Sequence, residues 1–402
     1  MLRRSCTLTW ELQVHFTRET FAAGNTVLAR VLDGAGERRH RVLAVIDAGV
    51  LACTPRLPGH IARYAQRHRG RMQLVAPPFV VPGGEACKSD PRAVEAVCAQ
   101  IERHGLCRQS FLLAIGGGAV LDAAGLAAAL AHRGVRLIRM PTTVLAQNDA
   151  GVGVKNGINA FGRKNFLGTF APPFAVVNDL EFLRTLDARD RRAGLAEAVK
   201  VALVRDREFF DLLWRERRRL AAGATGPLEE TVVRCAELHL DHIVSRGDPF
   251  ERGSSRPLDF GHWSAHALEE LSAGALRHGE AVAIGIALDA LYSVRSGLLG
   301  EPDGHRVLAL LEDLGFALFD WALESLDVQA ALARFQEHLG GERAIPLLRR
   351  PGEVLDVRAI DARRMRGCVA ELARRHGAAA ARAPAAARPG DGAAQRDALR
   401  AR

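Results

Sequence analysis

FLLAIGGG (111–118) leads into AVLDAAGLAAALAHRG (119–134), which is followed by VRLIRMP (135–141). The first piece is an apolar run ending in three glycines, the second is rich in alanine, and the third is an apolar run stopped by a proline. Two short apolar runs separated by a stretch of helical length predict a strand, a helix and a second strand. Because a helical crossover joins them, the two strands are expected to be parallel.

The pattern extends in both directions from this segment. HRVLAVIDAGV (40–50) and FAVVND (174–179) predict further strands, so residues 1–180 are interpreted as a Rossmann-like α/β dinucleotide-binding domain. From residue 181 the apolar spacing is mostly helical, which predicts a mainly helical domain, residues 181–376, that binds a metal and the substrate. Residues 377–402 are a low-complexity Ala/Arg/Pro tail that is predicted to be disordered.

The composition is that of a globular protein, with 48% hydrophobic and 25% charged residues in 402. No apolar run approaches the roughly 18 residues of a membrane span, and no signal peptide is recognised, so we expect a cytoplasmic protein without a membrane partner. The net charge is +9, but the basic residues are scattered and no aromatic residues interleave with them. We therefore expect no nucleic-acid partner.

The seven cysteines contain no CxxC pair, which argues against a cysteine zinc site.

Lysine is rare in this chain, and its positions are informative. Of 55 basic residues only four are lysine, namely Lys88, Lys155, Lys164 and Lys200. Arginine cannot replace a compact ammonium group at a tight site, so these lysines are candidates for chemistry. Two of them lie in DAGVGVKNGINAFGRKNFLGTFAPP (149–173), where glycines and asparagines surround them. Such a flexible loop suits a phosphate or polyol ligand, and the alternative is a solvated glycine-rich loop.

Two further patterns indicate ligand sites. In IGGGAVLD (115–122) the glycines allow a pyrophosphate to approach the backbone at the start of a helix, although tight turns also use glycine. Asp47 ends the first strand and could bind a ribose or cap a turn. Glu197 and Lys200 are three apart on one helix face, His262 and His266 are four apart on another, and His278 begins a third helix. A carboxylate with two imidazoles is a common catalytic zinc set, although each histidine could be an ordinary one.

Taken together, these segments resemble the 3-dehydroquinate synthase family of sugar phosphate cyclases over about residues 42–299. The matching motifs occur in order and are PGGEACKS (82–89), IGGGAVLD (115–122), HRG (132–134), PTTVLAQNDAGVGVKNGIN (141–159), GRKNFLGTF (162–170), AGLAEAVK (193–200), LDFGHWSAH (258–266) and RHGEAVAIG (277–285). The resemblance implies NAD- and metal-dependent oxidation of a heptulose 7-phosphate, β-elimination of phosphate, re-reduction and an intramolecular aldol closure.

The resemblance also implies roles for individual residues. The metal, which is zinc, cobalt or another divalent ion, would be bound by Glu197, His262 and His278. The NAD-binding positions would be Asp47, Glu85, Lys88, Gly117, Gly118, Asp122, Thr142, Thr143 and Leu145. The catalytic and substrate-binding positions would be Arg133, Asp149, Lys155, Lys164, Asn165, Lys200, Arg256 and His266, with Asp259 as a substituted position. Family members are usually homodimers in which the residue at the position of Arg133 reaches the partner's site.

The chain departs from the family pattern at the substrate. The family's dehydroquinate synthases usually have VGGKTGIN, whereas this chain has VGVKNGIN (152–159), and Asp259 replaces a substrate-contacting asparagine. Arg256 is one residue closer to the following glycine–histidine pair, and the family's carboxylate-binding lysine upstream of that arginine is missing, with His239 or His242 in that region instead. An added anion and a lost cation weaken recognition of an acidic substrate. LDFGH is more similar to the cyclases that act on sedoheptulose 7-phosphate.

Two alternative functions compete with this interpretation. The first is a metal-dependent polyol or alcohol dehydrogenase of the glycerol dehydrogenase type, which would release NADH and would not need Lys155 and Lys164. The second is an inactive scaffold or nucleic-acid-binding protein that kept the fold, for which missing metal ligands would be the sign.

Overall fold

The computed structural model describes residues 1–36, 38–245 and 248–382. By their internal contacts these residues form two units. The first consists of Met1–Gly194 and Leu228–Phe250, and the second of Leu195–Pro227 and the described residues from Glu251 on. Of the predicted disordered tail, residues 377–382 continue the last helix, where their alanines favour helix, and residues 383–402 lie outside the described residues.

The strands of the first unit are β1 (Val14–Thr17), β2 (His40–Asp47), β3 (Met72–Leu74), β4 (Phe79–Val81), β5 (Phe111–Gly116), β6 (Arg136–Pro141), β7 (Lys155–Ala160), β8 (Arg163–Phe170) and β9 (Ala175–Asp179). Its first helices are α1 (Val27–Asp33), α2 (Ala48–Cys53), α3 (Leu57–Arg67), α4 (Glu85–Ser89), α5 (Pro91–Arg103) and α6 (Gly118–Leu130). The remaining α-helices are α7 (Ala188–Arg205), α8 (Arg207–Ala221), α9 (Thr225–Ser245), α10 (His262–Leu271), α11 (His278–Arg295), α12 (Glu301–Asp313), α13 (Val328–Leu339) and α14 (Ala362–Arg382), and the strands β10 (Ile345–Arg350) and β11 (Glu353–Val357) lie between α13 and α14.

The parallel strand–helix–strand prediction is confirmed. β5 and β6 pair in parallel with Phe111 opposite Arg136, and the main sheet has the order β1-β9-β6-β5-β2-β3, with β4 beside β2. Both of its faces are covered. Leu43 and Leu112 pack with α5 and α6 on one face, whereas Val42 and Phe111 pack with α1 and α3 on the other. Burial on both faces explains why these strands are continuous apolar runs.

The glycine-rich segment 149–173 differs from the predicted flexible loop. A π-helical turn, Ala146–Ala150, includes its first two residues. An antiparallel hairpin formed by β7 and β8 follows. In the register of the hairpin Gly157 faces Gly168. Glycines and asparagines obscure the alternation by which a strand is recognised in a sequence, so the pairing of the two strands was not predictable from either one.

The second unit is mainly helical, as predicted. α11 is buried along almost all of its length and packs against α10, α12, α14 and β10. α7, α10, α11 and α12 account for the helical spacing predicted from residue 181 on, whereas most of α9, in the same range, belongs to the first unit. Among the described residues, no helix has both the length and the hydropathy that a membrane crossing requires.

Candidate active site

Three potential metal ligands converge within the second unit. Glu197 lies on α7, His262 begins α10 and His278 begins α11. The Nε2 atoms of His262 and His278 lie 3.4 and 3.3 Å from Oε1 of Glu197. At the usual ligand distances of about 2.0–2.1 Å, a tetrahedral zinc ion separates neighbouring ligand atoms by roughly 3.3 Å. The donor set and its spacing therefore fit a zinc ion.

Lys200, which lies on α7 like Glu197, neutralises part of the negative charge of this cluster. Its Nζ lies 2.5 Å from Oε2 of Glu197, and the two side chains are almost completely buried. Burial alone would raise the pKa of Glu197, but the ammonium of Lys200 and the ring of His262 outweigh it and hold that pKa well below its ordinary value. The predicted spacing of three residues on one helix face thus yields an ionised carboxylate ready to bind a cation.

A second buried carboxylate orients His278. Oε2 of Glu269 lies 3.3 Å from Nδ1 of His278, which leaves Nε2 of that ring facing Glu197. Burial lowers the pKa of His278, but Glu269 and Glu197 outweigh it and raise that pKa to about 10. The sequence interpretation missed Glu269. Its position seven residues after His262, on the same face of α10 as His266, was the available signal.

Asp289, which the sequence interpretation also missed, holds the turn that precedes His262. Its Oδ2 accepts a hydrogen bond from the backbone N–H of Gly261 and its Oδ1 accepts one from Nε1 of Trp263, both at 2.9 Å. Burial raises the pKa of Asp289 to about 7, against the lowering effect of these two donors. Gly261 has φ +79°, and a Cβ atom there would lie 2.8 Å from the backbone nitrogen of Ile286, so only glycine fits.

The remaining predicted residues of the second unit lie next to this cluster in the chain. Asp259 ends a 3₁₀ turn, Pro257–Asp259, and its Oδ2 is buried without a hydrogen bond from any described residue. Arg256 precedes the turn and donates from Nη2 to the carbonyl of Glu251 at 2.5 Å. The ring of His266 lies 5.7 Å from that of His262 and 6.3 Å from that of His278, measured between centroids.

The predicted NAD-binding residues cluster in the first unit, at the carboxyl ends of parallel strands. Asp47 ends β2, Gly117 and Gly118 follow β5, and the pair Thr142 and Thr143 follows β6, with Leu145 just beyond. The carboxyl edge of such a sheet is the usual place for a dinucleotide. Asp47 also caps α2, because its Oδ1 accepts a hydrogen bond from the N–H of Gly49 at 2.7 Å. The capping role of this residue is thus observed, and its contact with a ribose stays a prediction.

Ion pairs connect the other members of this set. Nζ of Lys88 on α4 lies 2.5 Å from Oδ2 of Asp122 on α6. Glu85, also on α4, lies 3.6 Å from Nζ of Lys164 on β8. Asn159 donates to Glu85 at 3.0 Å. The predicted NAD-binding and phosphate-binding segments of the first unit are thus linked through Glu85.

The other predicted substrate residues of the first unit lie on separate turns and strands. Arg133 and Asn165 have φ of +62° and +53°. Lys155 begins β7 with an exposed side chain, and Asp149 lies in the π-helical turn. His239 and His242 are the two histidines considered in place of the missing lysine. Nδ1 of His239 lies 3.4 Å from Oδ1 of Asp149.

Comparison with known proteins agrees with these features. The 3-dehydroquinate synthase N-terminal and C-terminal families match residues 78–193 and 194–338. A 2-epi-5-epi-valiolone synthase of an Actinoplanes species is 35% identical over 343 residues, which cover 83% of this chain and 84% of that protein. A 3-dehydroquinate synthase of Xanthomonas axonopodis pv. citri is 41% identical over 277 residues, covering 67% and 73%.

Solved structures lead to the same family. ValA, a 2-epi-5-epi-valiolone synthase of Streptomyces hygroscopicus subsp. jinggangensis solved with NAD⁺ and Zn²⁺ bound, has a TM-score of 0.82 at 32% identity and covers 93% of this chain and 100% of that one. A probable glycerol dehydrogenase of Sinorhizobium meliloti has a TM-score of 0.59 at 20% identity, covering 91% and 97%, and this likeness shows a common fold only. The dehydrogenase alternative therefore has no support beyond the fold, and the chain belongs to the 3-dehydroquinate synthase family.

Proposed function

We propose that this protein is a sugar phosphate cyclase that uses NAD and a zinc ion to convert sedoheptulose 7-phosphate into a carbocycle. Membership of the 3-dehydroquinate synthase family and the cluster of Glu197, His262 and His278 support the reaction class. The observation that carries the choice of substrate is Asp259, whose Oδ2 is buried and accepts no hydrogen bond from a described residue. A substrate hydroxyl can donate to this oxygen, whereas a substrate carboxylate cannot.

The metal and the cofactor supply chemistry that the side chains cannot. Zinc would polarise substrate oxygens and make a neighbouring C–H more acidic, and NAD would accept a hydride and return it. Glu197, His262 and His278 would hold the zinc, with Lys200 keeping Glu197 ionised and Glu269 orienting His278. Phosphate leaves and the cofactor ends in its initial oxidation state, so the net reaction needs no added oxidant.

The side chains of the first unit would hold the phosphorylated substrate and the nucleotide. Lys155, Lys164 and Asn165 would bind the phosphate, since ammonium and amide groups suit its oxygens. The glycine turn at 116–118, where α6 begins, would accept the pyrophosphate of NAD. His239, whose Nδ1 lies 3.4 Å from Oδ1 of Asp149, or His242 would stand in the region of the missing carboxylate-binding lysine. We further propose a homodimer in which Arg133 reaches the partner's site, and a cytoplasmic location.

Repulsion by the carboxylate of Asp259 sets the size of the expected substrate preference. At an effective dielectric near 20, two like charges about 5 Å apart cost roughly 3 kcal/mol, which is on the order of a hundredfold in affinity. A carboxylate-bearing substrate that approaches Asp259 would incur this cost, and the neutral end of sedoheptulose 7-phosphate would not.

Phosphate release from purified protein tests the proposal. We expect a higher kcat/KM for sedoheptulose 7-phosphate than for 3-deoxy-arabino-heptulosonate 7-phosphate, and a reduced difference in the Asp259→Asn variant. NAD should be required without net formation of NADH. Stoichiometric NADH would establish a dehydrogenase instead, and a higher kcat/KM for the carboxylate-bearing sugar would show that the protein makes 3-dehydroquinate.

A further inference from the structure

A guanidinium group is completely buried under residues 149–156, which we call the glycine segment. This segment ends with the first two residues of β7. Arg139, in the middle of β6, is 0% exposed. Its strand neighbours in the sheet are Ala114 on β5 and Val176 on β9, so it has an apolar setting. Burial lowers the pKa of Arg139, but an arginine starts so high that it stays protonated. A buried cation is costly, and Nε of Arg139 is buried without an acceptor among the described residues, so the presence of this group calls for a role.

Arg139 directs its donors to this one segment of chain. Nη1 donates to the carbonyls of Gly153 at 2.7 Å, Gly151 at 3.2 Å and Ala150 at 3.3 Å. Nη2 donates to the carbonyl of Lys155 and to Oδ1 of Asn156, both at 2.7 Å. All five acceptors are neutral oxygens. Asp122 acts on Arg139 electrostatically, but this carboxylate is ion-paired with Lys88 and, within the described ranges, forms no ion pair with Arg139. Most of the positive charge of Arg139 is therefore held in place without being cancelled.

Two other residues are adapted to this arrangement. Asn156 stands where the related synthases usually have threonine, and its amide bridges Arg139 and the carbonyl of Ala171, to which Nδ2 donates at 3.0 Å. Gly125 on α6 makes room for it, because a Cβ atom at residue 125 would lie 1.8 Å from Oδ1 of Asn156. The side chain of Asn156, the space at Gly125 and the charge of Arg139 therefore form one buried set.

We propose that Arg139 is a positioning residue for Lys155 and that its fixed charge strengthens phosphate binding at the same segment. The carbonyls of Lys155 and Gly153 make the two shortest backbone contacts of Arg139. Arg139 therefore fixes the backbone position from which the side chain of Lys155 extends. A positive charge buried in a low-dielectric interior is screened less than a surface charge and acts over a longer distance. This inference rests on the proposed function, in which Lys155 binds the substrate phosphate.

Asn156→Asp separates the electrostatic role from simple packing. The new carboxylate keeps an acceptor for Nη2 of Arg139 but cancels the charge. We expect the KM for sedoheptulose 7-phosphate and the inhibition constant of inorganic phosphate to rise about tenfold, with a smaller change in kcat. Zinc content and NAD affinity should stay unchanged, and thermal denaturation reports whether the lost Nδ2 donor weakens the fold. Arg139→Lys, which keeps a cation but cannot reach all five acceptors, should give a smaller rise in both constants.

The controls distinguish the possible failures. Arg103→Lys, at an exposed position on α5, should leave both constants unchanged. Lys155→Ala is the reference for the phosphate site. If it does not weaken inhibition by phosphate, the proposed phosphate site is wrong. If it does, and Asn156→Asp leaves both constants unchanged, the role of Arg139 is overturned. Should Asn156→Asp fail to fold, Arg139→Lys decides in the same way, because a purely structural arginine would alter stability without altering phosphate affinity.

Discussion

The metal cluster of the second unit and the glycine segment of the first unit are held by buried charges of opposite sign. Around the cluster, the buried carboxylates Glu197 and Glu269 are 1% and 5% exposed. Under the glycine segment, the buried charge is the guanidinium of Arg139. In each case the sign is opposite to that of the expected ligand, a zinc cation in one and a phosphate anion in the other.

The two regions also differ in how the buried charge is satisfied. Glu197 is paired with a full opposite charge, the ammonium of Lys200, so the cluster is partly neutral before a ligand binds. Arg139 is surrounded by neutral carbonyl and amide oxygens, so its charge remains. The metal cluster therefore depends on coordination by side chains. The glycine segment depends on the position of its backbone and on the electrostatic potential there.

Removal of one metal ligand is the strongest test of the metal cluster. In His262→Ala we expect the bound metal to be lost, because the loss of a direct ligand should exceed the roughly 10- to 100-fold effect typical of outer-shell partners. Elemental analysis measures the metal content. His305→Ala, at an exposed histidine on α12, is the control and should keep its metal. Full occupancy with normal turnover in His262→Ala would remove the metal site from this cluster.

Glu269→Gln tests whether an outer carboxylate supports the cluster. The glutamine can still contact Nδ1 of His278 but carries no charge, so we expect zinc affinity to fall about 10- to 100-fold. Competition with a chelator gives this affinity. The matched control is Glu270→Gln, one residue further, where an exposed carboxylate pairs with Arg334 at 2.8 Å. Equal zinc affinities in the two variants would show that Glu269 is not needed to orient the ligand.

Gly125→Ala tests how tightly Asn156 is held beside the glycine segment. The added methyl group would lie 1.8 Å from Oδ1 of Asn156, and overpacking of this kind destabilises by about 1–3 kcal/mol. Gly226→Ala, in α9, is the control because nothing lies within 4 Å of the position that its methyl group would take, and alanine favours helix there. We expect thermal denaturation to show a lower midpoint for the first variant and an equal or higher one for the second; the reverse order would mean that Asn156 moves freely.

Thiol reactivity offers the mildest probe, one that reports on both units without a mutation. Burial raises the pKa of Cys87 in the first unit to about 11 and that of Cys368 in the second to about 12. Cys107 is exposed, and the hydroxyl of Ser110 lowers its pKa. At pH 8 we expect iodoacetamide to modify Cys107 well before Cys87 or Cys368, as located by peptide mass spectrometry. Early modification of Cys368 would reveal opening of the second unit.

Much of the site could be predicted because its spacing is local. Glu197 and Lys200 are neighbours on one helix face, and His262 and His266 on another, so helical periodicity alone brought each pair together. The strands β2, β5, β6 and β9 were recognisable because burial on both faces demands continuous apolar runs. Glu269 could have been found by the same periodicity, whereas Arg139 and Asp289 could not, since each acts on a segment brought near by folding.

The sequence by itself determined the α/β order of the first unit, the helical second unit and the residue types of the metal set. These properties depend on local spacing and on the motifs of the family. Only the tertiary structure decided that His239 lies beside Asp149, that Glu269 faces His278, and that segment 155–170 is a hairpin. It alone revealed that both terminal nitrogens of an arginine in a strand interior donate to carbonyls 11 to 16 residues further along the chain. Such contacts follow from the packing of distant segments, and the physical requirement that every buried donor find an acceptor can be checked only once the chain is folded.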